Sequence, residues 1–203
     1  METPRKSDST REHILEQGYT LFNNLGYNGT GLKQILDAAG IPKGSFYHYF
    51  ESKEHFAVEI IDHYSALHFD RWETEFKQPG LDKLSQIRRA LDIIIEEYGA
   101  QQPMTGCLLA NLSGELANSS PYFRDAIQRS GREVLNCIRD DMLIAQEEGT
   151  VRRDIPADEL ASVFFSSWQG AILRMKVTQS TEPLRLIVSH LLDHYFRPPV
   201  TAN

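Results

Sequence analysis

The chain has 203 residues, a net charge of −7, and a composition ordinary for a folded domain, 41% hydrophobic and 24% charged. No run approaches the roughly 18 uninterrupted apolar residues of a membrane-spanning helix, and the polar start lacks the apolar core of a secretory signal, so a cytoplasmic location and no membrane partner are expected. Two cysteines, Cys107 and Cys137, are too few for a disulfide framework and are expected to be thiols.

Helical periodicity begins at 7–25, where Ile14, Leu15, Leu21, Phe22 and Leu25 share a stripe, Ser7 or Asp8 is the N-cap and Gly26 the stop. Thr30 caps a short helix bearing Leu32, Ile35, Leu36 and Ala39, ended by Gly40. Ile41-Pro42 make a turn, 43–50 form a third helix, and Ser52 caps a fourth with apolar positions Phe56, Ile60, Ile61 and Tyr64. Pro79-Gly80 is the next strong break. Further helices are predicted over 81–98, 107–116, 121–148, 157–177 and 181–196. The expected architecture is all-α with about nine helices, a head over 1–53 and a helical body over 54–203.

The negative charge is unevenly placed. Residues 1–53 carry six Lys/Arg and six Asp/Glu, so the head is neutral and the whole excess falls in the body. A neutral head can still bind DNA if its cations share one face.

Helix, short helix, tight turn, short helix is the outline of a DNA-binding helix-turn-helix. In the third helix Phe46, Tyr49 and Phe50 share an anchoring face, which turns Lys43, Ser45, Tyr47 and His48 outward. These groups can bond phosphates and base edges in a major groove, and Gly44 allows backbone to approach closely. The run from Gly40 to Glu54, with Gly26-Tyr27, Thr30, Ile35 and Ala39 upstream, resembles the TetR-family signature around its recognition helix. The resemblance implies a homodimeric repressor on a palindromic double-stranded operator, with Thr30, Lys43, Ser45, Tyr47, His48 and Lys53 at the DNA. Lys53 opens a helix, where backbone amides already favour phosphate. Gly31 departs from the pattern, which often has a second threonine there.

In the body, the run Thr105 to Glu115 is similar to a Gly-Cys-Leu helix in a TetR subgroup that includes the N-ethylmaleimide reductase repressor and the acrylate-responsive repressor. Trp168, Gly170-Ala171, Lys176 and Pro183-Leu184 extend the likeness. It implies a body that senses electrophiles, oxidants or small unsaturated acids and dimerises. The thiolate is the nucleophilic form of cysteine, and Cys107 follows Gly106 at a predicted helix start, where the dipole favours negative charge. Lys176 would add a cation if adjacent in space. The alternative is a small core cysteine and a surface lysine. Asn111 and Glu115 share the Cys107 face and, with Trp168, either line a pocket or make ordinary polar contacts. Cys137 is expected in the core.

The last two helices, with Phe164, Phe165, Trp168, Ile172 and Leu173 in one and Leu184, Ile187, Val188, Leu191 and Leu192 in the other, supply the expected dimer interface. His190 and His194 have a metal-ligand spacing but no accompanying glutamate, so no metal is expected. There is no glycine-rich phosphate loop, nucleophile elbow or carboxylate–histidine set, so neither an enzyme nor a cofactor is expected. The reading is a repressor released by an electrophile, oxidant or small organic inducer near Cys107. Its alternative is the same repressor with a reversible inducer and no cysteine chemistry.

Overall fold

The computed structural model of the protein describes residues 6–76, 78 and 80–199; Pro79 and the side chains of Ser7 and Asp8, and with them the expected cap, lie outside that description. Among the described residues there are nine α-helices and no strand. They are α1 (Lys6–Gly29), α2 (Leu32–Ala39), α3 (Lys43–Tyr49), α4 (Lys53–Thr74), α5 (Lys83–Ala100), α6 (Leu108–Leu116), α7 (Pro121–Glu147), α8 (Ala157–Thr178) and α9 (Glu182–His190). The all-α expectation holds.

The chain forms two compact units. The first takes α1 to α3, α4 as far as His68, and Cys107–Ser130; the second takes Phe69–Gly106 and everything from Gly131. Compactness thus groups α6 and the start of α7 with the helix-turn-helix. Phe22, Phe46, Phe50 and Phe56 are fully buried in this first core, together with Ile14, Ile35, Ile60, Leu108 and Leu112. Each such side chain is worth about 1.5–3 kcal/mol of burial. Gly18 lets α1 approach α4, since a Cβ there would run into the Phe56 ring. The expected stop at Gly26 is present as a bend, with φ 74° and ψ 171°. Leu25, expected in the apolar stripe, is 49% exposed just before it.

In the second unit Asp82 caps α5, its Oδ1 accepting the Ser85 N–H at 2.9 Å. One carboxylate joins α4, α5 and α7: Asp141 Oδ1 lies 2.9 Å from Lys83 Nζ, and Oδ2 accepts the Trp72 indole N–H at 2.9 Å. Lys83 and Asp141 are both buried, a placement that requires such mutual satisfaction.

The helix expected over 181–196 is not uniform. It ends as α9 at His190 and continues as one π-helical turn, Leu191–Tyr195. Leu184, Val188, Leu192 and Phe196 are all buried and follow one another by fours. In an α-helix, steps of four drift by about 40° each. The wider turn brings Leu192 and Phe196 back to the buried side.

Candidate DNA-reading surface and sensing site

The reading helix is anchored from behind. Phe46 and Phe50 are fully buried and meet the Phe56 ring at centroid distances of 5.2 and 4.7 Å. Tyr49, expected with them, is only half-buried and meets the His48 ring at 5.0 Å. This anchoring turns Lys43, Gly44, Tyr47 and His48 to the surface, with Ser45 half-buried between them. Lys43 Nζ lies 5.8 Å from the centre of the Tyr47 ring, so a cation and a phenol share one patch. A Cβ on Gly44 would meet no atom of the chain within 4 Å. The fold itself does not demand a glycine there, and its effect is to leave the start of α3 bare for an approaching surface.

Two residues expected at the DNA make hydrogen bonds inside the head. Thr30 is fully buried, and its hydroxyl donates to the Gly26 carbonyl at 2.8 Å, holding the bend instead of capping α2. The N-cap of α2 is Gly31, whose N–H is taken by Gln34 Oε1 at 2.7 Å. Lys53 is half-buried, and its ammonium donates to the Tyr27 carbonyl at 2.6 Å and lies 3.9 Å from that ring's centre. Burial pushes the Lys53 pKa down, partly offset by the Glu115 charge. Ser52 caps α4 as expected, accepting the His55 N–H at 3.0 Å.

Cys107 is the N-cap of α6 and is half-buried against the first core. The Tyr64 hydroxyl donates to its sulfur at 3.5 Å. Tyr64 in turn stacks on Tyr19 at 5.4 Å and meets His68 edge-on at 4.1 Å, which gives the sulfur an aromatic wall. Burial, and secondarily the sulfur's charge, raise the Tyr19 pKa. One turn on, the Asn111 Nδ2 donates to Asn23 Oδ1 at 3.1 Å, bridging α6 to α1.

Trp168 and Lys176 belong to the second unit, on α8. Trp168 stacks on Phe164 at 6.0 Å, and Lys176 is exposed in the last helical turn. The four expected sensing residues are thus divided two and two between the units. Cys137 is half-buried and not core. Burial, followed by the nearby Asp141, raises its thiol pKa to about 11, so at neutral pH it is a protonated, sluggish nucleophile.

Tyr64 reads in the sequence only as a helix-period position, and nothing in the pattern marks it or Tyr19 as a neighbour of a sulfur. Glu115 was legible as a member of the Cys107 face, but its partners are backbone amides, Tyr27 N–H at 2.9 Å and Asn28 N–H at 2.6 Å. Among the described residues no three His, Cys, Asp or Glu side chains converge to hold a metal, and no helix is long and apolar enough to cross a membrane.

The sequence pattern of the bacterial regulatory proteins of the tetR family matches residues 14–60, and that of the tetracyclin repressor-like C-terminal domain matches residues 80–191. The chain belongs to the TetR family. It is 34% identical over 174 residues to the HTH-type transcriptional repressor DhaR of Mycobacterium sp. strain GP1, covering 86% of each chain. To the HTH-type transcriptional repressor NemR of Escherichia coli K12 it is 32% identical over 193 residues, covering 94% of this chain and 96% of that one. The crystal structure of E. coli NemR in its reduced form superposes with a TM-score of 0.86, at 28% identity, over 95% of this chain and all of the other. This TetR-family chain is therefore a transcriptional regulator similar to NemR.

Proposed function

We propose that the chain is a cytoplasmic, homodimeric repressor that binds a palindromic operator and is released by an electrophile, an oxidant or a small organic inducer acting at Cys107. Lys43, Gly44, Ser45, Tyr47 and His48 read and grip the duplex, while Thr30 and Lys53 brace the frame behind them. Two heads at a fixed separation match two half-sites, so a change in that separation lowers affinity without altering either head. The repressor names of the relatives and the close superposition on the reduced form of E. coli NemR support this reading.

The observation that carries the reading is the place of Cys107. It heads a helix packed on α1, within the same compact unit as the reading helix, with the Tyr64 hydroxyl at its sulfur. The Cys107 thiol gives its proton to water, and addition of the thiolate to an activated alkene such as a maleimide forms one C–S bond. The alkene π pair moves to the carbon beside the carbonyl, and water protonates it. The added group must then displace Tyr64 or Tyr19, both of which pack on the first core. The same aromatic wall favours, as second reading, a flat guest held reversibly without a bond to sulfur.

The dimer face falls on the exposed side of α8 and α9. Phe164, Ile172, Leu184, Val188 and Leu192 are core, so they are not available to a partner. Val163, Leu173 and Val177 on α8 and Leu186 on α9 are exposed, at 38%, 48%, 85% and 50%, and these support the pairing. A Cβ on Gly170, on the same stripe, would meet nothing within 4 Å.

The test is binding of the purified protein to duplex DNA from upstream of its own gene, followed by fluorescence anisotropy with and without N-ethylmaleimide. Tight, salt-sensitive binding that the reagent abolishes in wild type but not in Cys107→Ser is the expected result. Release in both proteins transfers the chemistry away from Cys107. Release by a non-electrophile alone supports the reversible reading, and absence of binding to any fragment refutes the repressor.

A further inference from the structure

Glu115 stands on the last turn of α6, and its carboxylate is used on backbone. Oε2 accepts the Tyr27 N–H at 2.9 Å and Oε1 accepts the Asn28 N–H at 2.6 Å. These are the first two amides after the Gly26 bend, which turns them out of the α1 helix. Such charge-assisted bonds are roughly twice as strong as neutral ones. The fit is close: a Cβ on Gly26 would lie 2.7 Å from Glu115 Oε2, and the backbone there has a positive φ that also favours glycine.

The segment so held is bound on its other sides too. The Tyr27 carbonyl receives Lys53, and its ring packs on Phe22 at 5.6 Å and Phe123 at 5.0 Å. Immediately after it come Thr30, which holds the bend, and Gly31, the N-cap of α2, whose turn leads into α3. One side chain of α6 therefore grips the junction from which the reading helices depart. The other end of α6 is Cys107, about 12 Å away at the rise of an α-helix.

We infer that Glu115 is a positioning residue for DNA reading: it makes the junction between α1 and α2 follow α6, and so sets how α3 is presented. A shift at Cys107 then reaches the reading helix through one rigid element and two amides. The inference rests on the reading that α3 binds operator DNA.

The experiment compares wild type, Glu115→Gln and Glu115→Ala for operator affinity across a salt series, with the active fraction of each preparation fixed by stoichiometric titration. Amide exchange at Tyr27 and Asn28 is followed in the free protein and in the complex. Affinity is expected to fall about tenfold in Glu115→Gln, which keeps one acceptor, and further in Glu115→Ala. The slope of log affinity against log salt stays as in wild type, because no phosphate contact is lost. In wild type both amides stay protected with and without operator. An unchanged Kd with a reduced active fraction would make the role merely structural and overturn the inference. So would a slope reduced by about one, which marks a phosphate contact. If neither variant folds, wild-type exchange decides: protection kept in the complex supports the inference, and protection lost on binding overturns it. A wild type that binds no duplex refutes the DNA reading, and the inference falls with it; a wild type that binds no better than both variants refutes the inference alone.

Discussion

Lys53 directs its charge at Tyr27. The ammonium donates to the Tyr27 carbonyl at 2.6 Å and rests 3.9 Å from the centre of the same ring, so one side chain closes the loop from α1 to the start of α4. A charged donor on a partly buried carbonyl is worth about 1–2 kcal/mol net, allowing for its partial exposure. Lys53→Met, which keeps the stem and removes the donor, is expected to lower unfolding free energy in urea by about that amount. Wild-type stability with weakened DNA binding would instead return Lys53 to the phosphate backbone.

Adjacent faces of α3 should separate stability from reading. Phe50 is fully buried among aromatic rings, so Phe50→Ala is expected to cost about 3–5 kcal/mol in thermal or urea unfolding. Tyr47 is 48% exposed, and Tyr47→Ala should change stability by no more than about 0.5 kcal/mol. Its operator affinity should fall by about tenfold or more. A large loss of stability in Tyr47→Ala would mean that its ring serves the core.

The cap of α5 predicts a pH dependence. The Ser85 hydroxyl and then its N–H hold the Asp82 carboxyl below its ordinary value of 3.8. A depressed folded-state pKa means that the contribution is complete above 3.8 and is lost as pH falls through the lower folded value. Asp82→Ala should therefore destabilise by about 1 kcal/mol at pH 7. Melting curves of variant and wild type should converge as the pH falls through the lowered folded-state value. A difference that persists there would assign the effect to something other than the charged cap.

The exposed stripe on α8 gives a test of assembly. Leu173 is 48% exposed on the outer face, away from buried Ile172 and Met175. Leu173→Glu is expected to shift sedimentation from dimer to monomer with intact helical circular dichroism, and to reduce operator affinity along with it. A dimer that persists in Leu173→Glu and in Val177→Glu would move the interface off this face.

Helix periods, the Gly26 and Gly40 stops, the Ser52 cap and the aromatic face of α3 could all be read from the chain by itself. Those features depend on neighbours three or four residues away, so local spacing is enough to determine them. The outward placement of Lys43, Tyr47 and His48 followed for the same reason, from the inward face of Phe46 and Phe50, whereas Ser45, expected outward, and Tyr49, expected inward, are both half-buried. Tertiary structure decided what the remaining polar groups do. Thr30 and Lys53 lie where the family pattern puts DNA contacts, yet both bond to carbonyls of the α1 bend. Glu115 finds two amides 88 and 87 residues away in sequence. A backbone amide has no residue type, so no pattern of side chains can announce that partner. The π-helical turn after α9 is of the same kind. Four apolar residues spaced by fours are compatible with several helical windings, and only the core they must fill selects one.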